Sequence, residues 1–195
     1  TIQSEIKKEF DRTNNKSIYP EIIAVSKTFP IEHIRPVIDQ GHIHFGEKKV
    51  QEAEKKGKEV KDKNPHIKLH LIGKLQSNKV KNALKVFDYI HSVDSEKLAK
   101  KIFDEQNKIN RKIKIFLQVN IGDENQKSGI HKNEVSQLVS YCKDIGLDLL
   151  GLMCIPPAYI DSDKYFEEMN KLNNAFGFTE LSMGMSSDFL VAVKN

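Results

Sequence analysis

The feature that most constrains the fold of this chain is a regular alternation of short apolar segments with amphipathic ones. After residue 20, β-branched and apolar runs predict seven strands, at residues 21–27, 42–45, 69–72, 89–93, 112–121, 147–155 and 180–183. Apolar residues at helical spacing predict a helix after each strand, at residues 31–40, 49–63, 77–86, 96–109, 133–145, 162–176 and 186–194, and a further helix at residues 1–10. Because the strands are apolar along almost their whole length, this alternation predicts a parallel α/β sheet covered by helices.

The number of these βα units restricts the architecture. The 175 residues from Glu21 to Asn195 hold seven units, with a mean of 25 residues each. Seven units fit an open doubly wound sheet, and they also fit a (β/α)8 barrel, typically about 250 residues long, that lacks one unit. No Walker A sequence is present and no GxGxxG sequence follows the first strand, so a nucleotide-binding doubly wound sheet is disfavoured.

Composition limits the location and the classes of partner. With 38% hydrophobic and 30% charged residues, the chain predicts one globular domain over residues 1–195, without a membrane partner, since no apolar run approaches the roughly 18 residues of a membrane span. The first ten residues lack the apolar centre of a secretory signal, and Cys142 and Cys154 form no CxxC pair, so we expect reduced thiols and a cytoplasmic location. Only three of the 31 basic residues are arginine, and tryptophan is absent, so a nucleic acid is not an expected partner.

Lys27 is the first candidate for a chemical role. It ends the first predicted strand, at the carboxyl edge where the active sites of barrels lie, and it shares a strand face with Ile23 and Val25. Apolar neighbours disfavour the ammonium form of a lysine, and the neutral amine is a nucleophile that can form an imine with an aldehyde. The alternative is a lysine at a strand end that only reaches solvent.

The second candidate is the segment at residues 181–188, which joins the seventh strand to the last predicted helix. Ser186 and Ser187 are expected as N-cap residues, and the free N–H groups at such a helix start can bind an anion, although they also fit an ordinary capped helix. In barrels, the loops after strands seven and eight often bind phosphate. An amine nucleophile after strand one and a phosphate site after strand seven together suggest an aldehyde that carries a phosphate.

Three histidines lie near the ends of the second and third strands. His42 and His44 would share one strand face, and His70 lies on the next strand. No carboxylate or cysteine stands at a spacing typical of a metal site, so we expect no metal ion here and hydrogen-bonded histidines instead.

At these positions the sequence resembles the YggS-type pyridoxal 5′-phosphate (PLP) homeostasis proteins. The similarity follows the chain in order from about residue 20 to its end. The matching segments are Ala24-Val-Ser-Lys-Thr28, Phe45-Gly-Glu47, Val50-Gln-Glu52, His70-Leu-Ile-Gly73, Leu75-Gln-Ser-Asn-Lys79, Ser92-Val-Asp94, Gln118-Val-Asn120, Lys127-Ser-Gly-Ile130, Gly151-Leu-Met153 and Leu181-Ser-Met-Gly-Met-Ser186.

The resemblance implies a (β/α)8 TIM barrel of the alanine racemase N-terminal domain type, with PLP as its cofactor. Lys27 would form the Schiff base with PLP, and Ser186, with the backbone of Met185 and Ser187, would contact the phosphate. The other residues that we assign to the cofactor site are Lys48, His70, Ser182 and Met183. The family is known for binding PLP without an established catalytic activity.

Two departures from the family pattern matter. Members commonly have Asn after Phe-Gly-Glu, near the cofactor ring, whereas this chain has Lys48. They also continue past Asn195 with an eighth strand, which carries an arginine near the ring and the second half of the phosphate site. We therefore expect a barrel whose eighth βα unit is missing from the chain shown, with weaker PLP binding as a result.

The function that we favour is PLP binding on Lys27 in vitamin B6 homeostasis, as a monomeric carrier or buffer without substrate turnover. The recipients of the cofactor would be apo forms of PLP-dependent enzymes. Three alternatives stay open: a PLP-dependent enzyme of the alanine racemase type, a Schiff-base aldolase barrel, and an adaptor for nucleic acid or protein. Racemases of this fold add a β-rich domain that supplies a tyrosine base, and no residues remain here for such a domain.

Overall fold

The computed structural model describes residues 1–13, 18–27, 29–158 and 160–195, and it confirms the predicted βα alternation. The strands are β1 Ala24–Val25, β2 His44–Glu47, β3 Lys68–Leu71, β4 Tyr89–Val93, β5 Lys114–Val119, β6 Asp148–Cys154 and β7 Glu180–Ser182. The helices are α1 Ile2–Arg12, α2 Ile31–Asp39, α3 Val50–Lys63, α4 Val80–Val86, α5 Glu96–Lys108, α6 Val135–Asp144, α7 Asp163–Ala175 and α8 Phe189–Lys194. Short 3-10 turns, Ser77–Lys79 and Lys132–Glu134, precede α4 and α6.

All seven strands form one parallel sheet in sequential order from β1 to β7. This order is that of a barrel and not of a doubly wound sheet, in which the strand order reverses at a switch point. In the described part of the chain β1 and β7 are the two edges of the sheet. The fold is therefore of the open-edged, sequentially wound α/β kind.

One hydrogen bond shows how strongly the sheet curls. His91 on β4 and Ser182 on β7 are three strands apart, which is about 14 Å on a flat sheet. Their side chains nevertheless meet, with 2.7 Å between His91 Nδ1 and Ser182 Oγ. The sheet is therefore concave on the face that carries these two residues, and we call it the inner face.

The two faces of the sheet differ in chemistry. The outer face, under the helices, is apolar and fully buried, and its residues include Phe45, Leu69, Leu71, Ile90, Ile115, Leu117 and Leu152. The inner face instead mixes polar with apolar and aromatic side chains: it carries His44, His70, His91, Gln118 and Ser182 together with Tyr89, Phe116 and Met153. The interior of a barrel is ordinarily filled by bulky branched side chains, so the buried polar groups on this face need an explanation in terms of function.

The helices begin where local chemistry favours it. Ser95 caps α5, since its hydroxyl accepts a hydrogen bond from the Leu98 N–H at 3.3 Å. Thr1 caps α1 in the same way, through a capping box with Ser4. In the part of the chain that the structure describes, no helix combines the length and apolar character needed to cross a membrane.

Candidate functional site

Lys27 lies in a turn immediately after β1. The turn is held by two backbone hydrogen bonds: the Ser26 N–H donates to the Gly46 carbonyl at 3.0 Å, and the Phe29 N–H donates to the Ser26 carbonyl at 3.3 Å. The sequence suggested an apolar environment for Lys27, but the structure gives it little burial. Val25 is 44% exposed and Lys27 is only half-buried. Burial among apolar side chains is therefore not what sets the chemistry of this amine.

A second amine, that of Lys48, lies beside Lys27. Lys48 follows β2, and its side chain is in contact with that of Lys27. The hydrogen bond to Lys27, the positive charge of Lys27 and partial burial together lower the pKa of Lys48. An ammonium has no lone pair to accept a hydrogen bond, so this amine-to-amine contact exists only when one of the two lysines is neutral.

Gly73, after β3, brings the backbone of the site together. A Cβ atom at this position would lie 2.2 Å from the carbonyl oxygen of Lys48. Only glycine lets the two backbone segments approach this closely. The Gly in the predicted His70-to-Gly73 segment thus fixes the position of the Lys48 backbone.

A buried ion pair supports the Lys27 turn from the outer side of the sheet. The Lys56 ammonium on α3 donates to the Ser26 carbonyl at 2.9 Å and to the Phe29 carbonyl at 3.1 Å. It also lies 2.8 Å from Oε1 of Glu47, which in turn accepts the Ser26 hydroxyl at 2.8 Å. Lys56 therefore holds the backbone on both sides of Lys27 in place.

The predicted phosphate segment follows β7 and differs from expectation in its cap. Ser186 and Ser187 lie in an exposed turn, and α8 begins only at Phe189 with Asp188 at its N-cap position, so the prediction that these serines cap the helix was wrong. The physical reason is that the Asp188 and Phe189 N–H groups both donate to the Met185 carbonyl, which closes the turn before the helix starts. The Asp188 carboxylate then accepts the Met185 N–H at 2.6 Å.

Gly184 shapes this same turn. It has a left-handed φ of +89°, and a Cβ atom there would lie 2.8 Å from the Ala192 Cβ. The segment therefore packs directly against α8 while Met185, Ser186 and Ser187 stay exposed and Met183 is half-buried. Lys27 and this segment thus follow the carboxyl ends of the two edge strands of the sheet.

The histidines form a connected row across the inner face. His44 Nδ1 lies 2.9 Å from His70 Nε2, and His70 Nδ1 lies 2.8 Å from His91 Nε2. The row ends at Ser182, and the His42 ring does not join it but donates from Nε2 to the His44 carbonyl at 2.8 Å. His70, which we assigned to the cofactor site, therefore has both ring nitrogens engaged with other imidazoles.

Burial keeps the inner imidazoles neutral. Burial, with the neighbouring imidazoles of His91 and His44, lowers the pKa of His70 to about 2, and burial alone lowers the pKa of His91 to about 3. Burial also lowers the pKa of the half-buried His44. Within the described ranges, no group of three or more His, Cys, Asp or Glu side chains is placed to hold a metal ion.

Sequence reasoning missed three residues of this region. His91 was not recognised because it lies inside a strand, and the signal available was its place on the same strand face as Tyr89 and Val93. Glu47 was noted only as part of a motif. Nothing in the local sequence of Lys56 distinguishes it from the other lysines on α3.

Comparison of the sequence with known proteins identifies a family and similar proteins. The family described as "Alanine racemase, N-terminal domain" matches residues 3–194. The pyridoxal phosphate homeostasis protein of Pasteurella multocida is 31% identical, over 99% of this chain and 88% of its own. That of Aquifex aeolicus is 33% identical with the same coverage.

The fold also matches that of a solved structure. PipY of Synechococcus elongatus, without PLP, superimposes with a TM-score of 0.84 at 33% identity, over 96% of this chain and 93% of that one. Its form with PLP bound has a TM-score of 0.77 at 34% identity, over 96% and 92% of the two chains. The fold is thus shared with PipY, one of whose structures has PLP bound, and the sequence is similar to proteins named for pyridoxal phosphate homeostasis.

Proposed function

Because the chain belongs to the alanine racemase N-terminal domain family, and within it to the pyridoxal phosphate homeostasis proteins, we propose that it binds PLP as a Schiff base on Lys27. The role that we propose is PLP homeostasis, as a carrier or buffer that passes the cofactor to apo enzymes without turnover of a substrate. The observation that carries the proposal is the contact between Lys27 and Lys48 at the carboxyl end of the sheet. PLP supplies an aldehyde, which condenses with a neutral primary amine.

The amine pair fits an aldehyde. A lysine must lose its proton before it can attack a carbonyl. Two adjacent ammonium groups repel each other, and this repulsion favours the state in which one of the pair is neutral. The pair therefore favours loss of one proton without deep burial of either side chain, and the lowered pKa of Lys48 is in the direction that this repulsion predicts.

The segment after β7 fits a phosphate group. Its exposed serine hydroxyls and turn backbone are the donor types that bind phosphate oxygens. Gly184 lets the turn lie close to α8, and Asp188 holds the turn by accepting the Met185 N–H. The Met185 backbone N–H is thus committed to Asp188, so we assign the phosphate contacts chiefly to Ser182, Ser186 and Ser187.

The proposal of binding without turnover rests on the inner-face histidines. An acid–base catalyst needs a ring nitrogen that can exchange a proton with the reacting atoms. His70 and His91 have both ring nitrogens in hydrogen bonds and their pKa values are far below neutrality. Neither is therefore poised to act as a general base toward a substrate held on Lys27.

We extend the proposal to the architecture and the cell. The sequential strand order, the curled sheet and the open edges at β1 and β7 support an eight-unit barrel of which seven units are seen here. We propose a monomer. The two free, buried thiols of Cys142 and Cys154 support a reducing compartment such as the cytoplasm.

The test is the visible absorption spectrum of the purified chain after addition of PLP, followed by borohydride reduction and peptide mass spectrometry. The expected result is an imine band and a phosphopyridoxyl group on Lys27. Lys27→Ala should lose both, whereas Lys58→Ala, an exposed lysine on α3, should keep them. An imine band that persists in Lys27→Ala overturns the assignment, and racemisation of an added amino acid would favour the enzyme alternative.

A further inference from the structure

The row of imidazoles on the inner face is a continuous hydrogen-bonded chain. We call His44, His70, His91 and Ser182 the imidazole relay. Its three contacts measure 2.9, 2.8 and 2.7 Å, and they link β2, β3, β4 and β7. Two of the rings are held in orientation by stacking on aromatic side chains. The ring centroids of His70 and Tyr89 are 4.1 Å apart, and those of His91 and Phe116 are 4.5 Å apart.

Counting protons limits the states of the relay. Each contact between two ring nitrogens needs one proton between them, and a neutral imidazole carries a single N–H. Only two arrangements of three neutral rings satisfy all contacts. In one, every ring has its proton on Nδ1 and donates toward Ser182. In the other, Ser182 donates to His91 and every ring has its proton on Nε2.

The alternatives to these two states are costly. A mixed arrangement leaves two nitrogens facing each other either with two protons or with none, which loses a buried hydrogen bond. An added proton would place an imidazolium among rings that are nearly all buried. The three imidazole rings of the relay therefore change tautomer together.

We propose that the relay couples anion binding beside β7 to the tautomer of His44 at the start of β2, that is, to which of its two ring nitrogens carries the proton. A phosphate oxygen without a proton can only accept, so Ser182 must donate its O–H to it. Ser182 Oγ then accepts from His91 Nδ1–H, which selects the Nδ1–H form in all three rings. This inference rests on the proposed function, since the anion is the phosphate group of PLP or of a similar phosphate monoester.

The change moves one proton through the relay and leaves its net charge unaltered. Ser182 passes its proton to His91 Nδ1 and takes one from water. His91 Nε2 passes its proton to His70 Nδ1, and His70 Nε2 passes its proton to His44 Nδ1. His44 then releases the proton on its Nε2 to water.

The consequence is a change of surface chemistry far from the anion. His44 is half-buried and lies at the amino end of β2, so its Nε2 becomes a hydrogen-bond acceptor when the anion is bound and is a donor in the other state. A water network or a partner at that end of the sheet would meet a different group in the loaded and unloaded protein.

The experiment is long-range ¹H–¹⁵N NMR of the histidine rings, which reports which nitrogen carries the proton. Spectra are recorded for the labelled chain alone, with inorganic phosphate and with PLP, while the imine band is followed in the same samples. The expected result with PLP is Nδ1–H in His44, His70 and His91. Phosphate alone giving the same pattern would show that the anion and not the imine selects it.

Two variants separate the relay from general structural effects. Ser182→Ala should remove the dependence of the His44 tautomer on the anion, whereas Ser136→Ala, an exposed residue on α6, should preserve it. His44→Ala removes only the half-exposed end and should leave His70 and His91 in matched tautomers. Mixed tautomers in the wild-type chain would overturn the inference.

The failures of the two proposals differ. Suppose that the imine band saturates with PLP but His44 keeps the Nε2–H tautomer that it has without PLP. That result overturns the relay and leaves PLP binding on Lys27 intact. If no imine band forms, the proposed function fails. In that case the spectra with saturating inorganic phosphate decide the relay alone, and unchanged Nε2–H tautomers would refute it.

Discussion

The ammonium of Lys56 lies 2.8 Å from Oε1 of Glu47, and the same ammonium donates to the backbone carbonyls on both sides of Lys27. The Glu47 side chain is 4% exposed and that of Lys56 is 19% exposed. Among the described residues, Oε2 of Glu47 has no hydrogen-bond partner, so the carboxylate depends on Lys56 and Ser26. A buried charge has thus been placed where it organises the turn that carries the candidate nucleophile.

Removal of Lys56 should therefore destabilise the chain. Lys56→Met leaves the Glu47 carboxylate buried without its cation, and we expect a loss of about 3 kcal/mol in the free energy of unfolding, measured by urea denaturation. Lys58→Met on the exposed side of the same helix is the matched control and should change little. The double variant Lys56→Met with Glu47→Gln should recover much of the loss, and a double variant as unstable as Lys56→Met would refute the ion-pair explanation.

The contact between the two site lysines predicts a change in Lys48. Because Lys27 lowers the pKa of Lys48, Lys27→Ala should raise that pKa toward the ordinary value of a lysine. The titration can be followed by NMR of the ¹³Cε resonance of Lys48. The same resonance in Lys58→Ala should titrate as in the wild type, and an unshifted Lys48 in Lys27→Ala would show that the two amines do not interact.

The neutral imidazoles predict a loss of stability in mild acid. The pKa values of His70 and His91 are about 2 and about 3 in the folded chain, and both would be about 6.5 in the unfolded chain. The unfolded chain therefore takes up protons first as the pH falls below about 6.5, and each histidine costs up to about 1.4 kcal/mol per pH unit down to its folded pKa.

Urea denaturation at pH 7, 6 and 5 checks this, because the window lies above the range in which most carboxylates titrate. The exposed His33→Gln variant should show the same slope as the wild type. A free energy of unfolding that stays flat from pH 7 to pH 5 would contradict neutral, buried imidazoles.

The two thiols should be inert in the folded protein. Burial raises the pKa of Cys142 and of Cys154 to about 12, with smaller contributions from Glu96 and Asp188 respectively. At pH 8 the thiolate fraction of each is then on the order of 10⁻⁴. Ellman's reagent should find no reactive thiol in the native chain and two in urea, and a rapid native reaction would place a cysteine at the surface.

Much of the fold follows from the sequence because the signals are local. The strand predicted at residues 89–93 agrees with β4, and that at residues 147–155 is one residue longer than β6 at each end. The strand predicted at residues 21–27 is longer than β1, because an edge strand pairs on one side only and two residues of it meet the register of β2. A run of apolar residues indicates which segment is buried under the helices. It does not indicate how many of its residues form backbone hydrogen bonds with a neighbouring strand.

The site was less accessible to sequence reasoning because its contacts are long-range. The last helix was expected at residue 186, but Asp188 and the Met185 carbonyl complete a turn there first. His91 and Ser182 lie 91 residues apart, and their contact depends on the curvature of the whole sheet. Lys27 and Ser186 lie in recognisable motifs and stay predictions as cofactor contacts, whereas Lys56 acquires its role only from the packing of α3 on β2.

The hydrogen bond between His91 and Ser182 also has a kinetic consequence. A contact across 91 residues has a high contact order, and such contacts form late and slowly because the intervening chain must be ordered first. Three βα units separate β4 from β7, so the imidazoles of β3 and β4 lack their last partner until these units have assembled. The hydrogen bonds of the polar side chains on the inner face would then be the last to form. In a refolding experiment, the histidine tautomer signals should therefore reach their native values later than the helix content does.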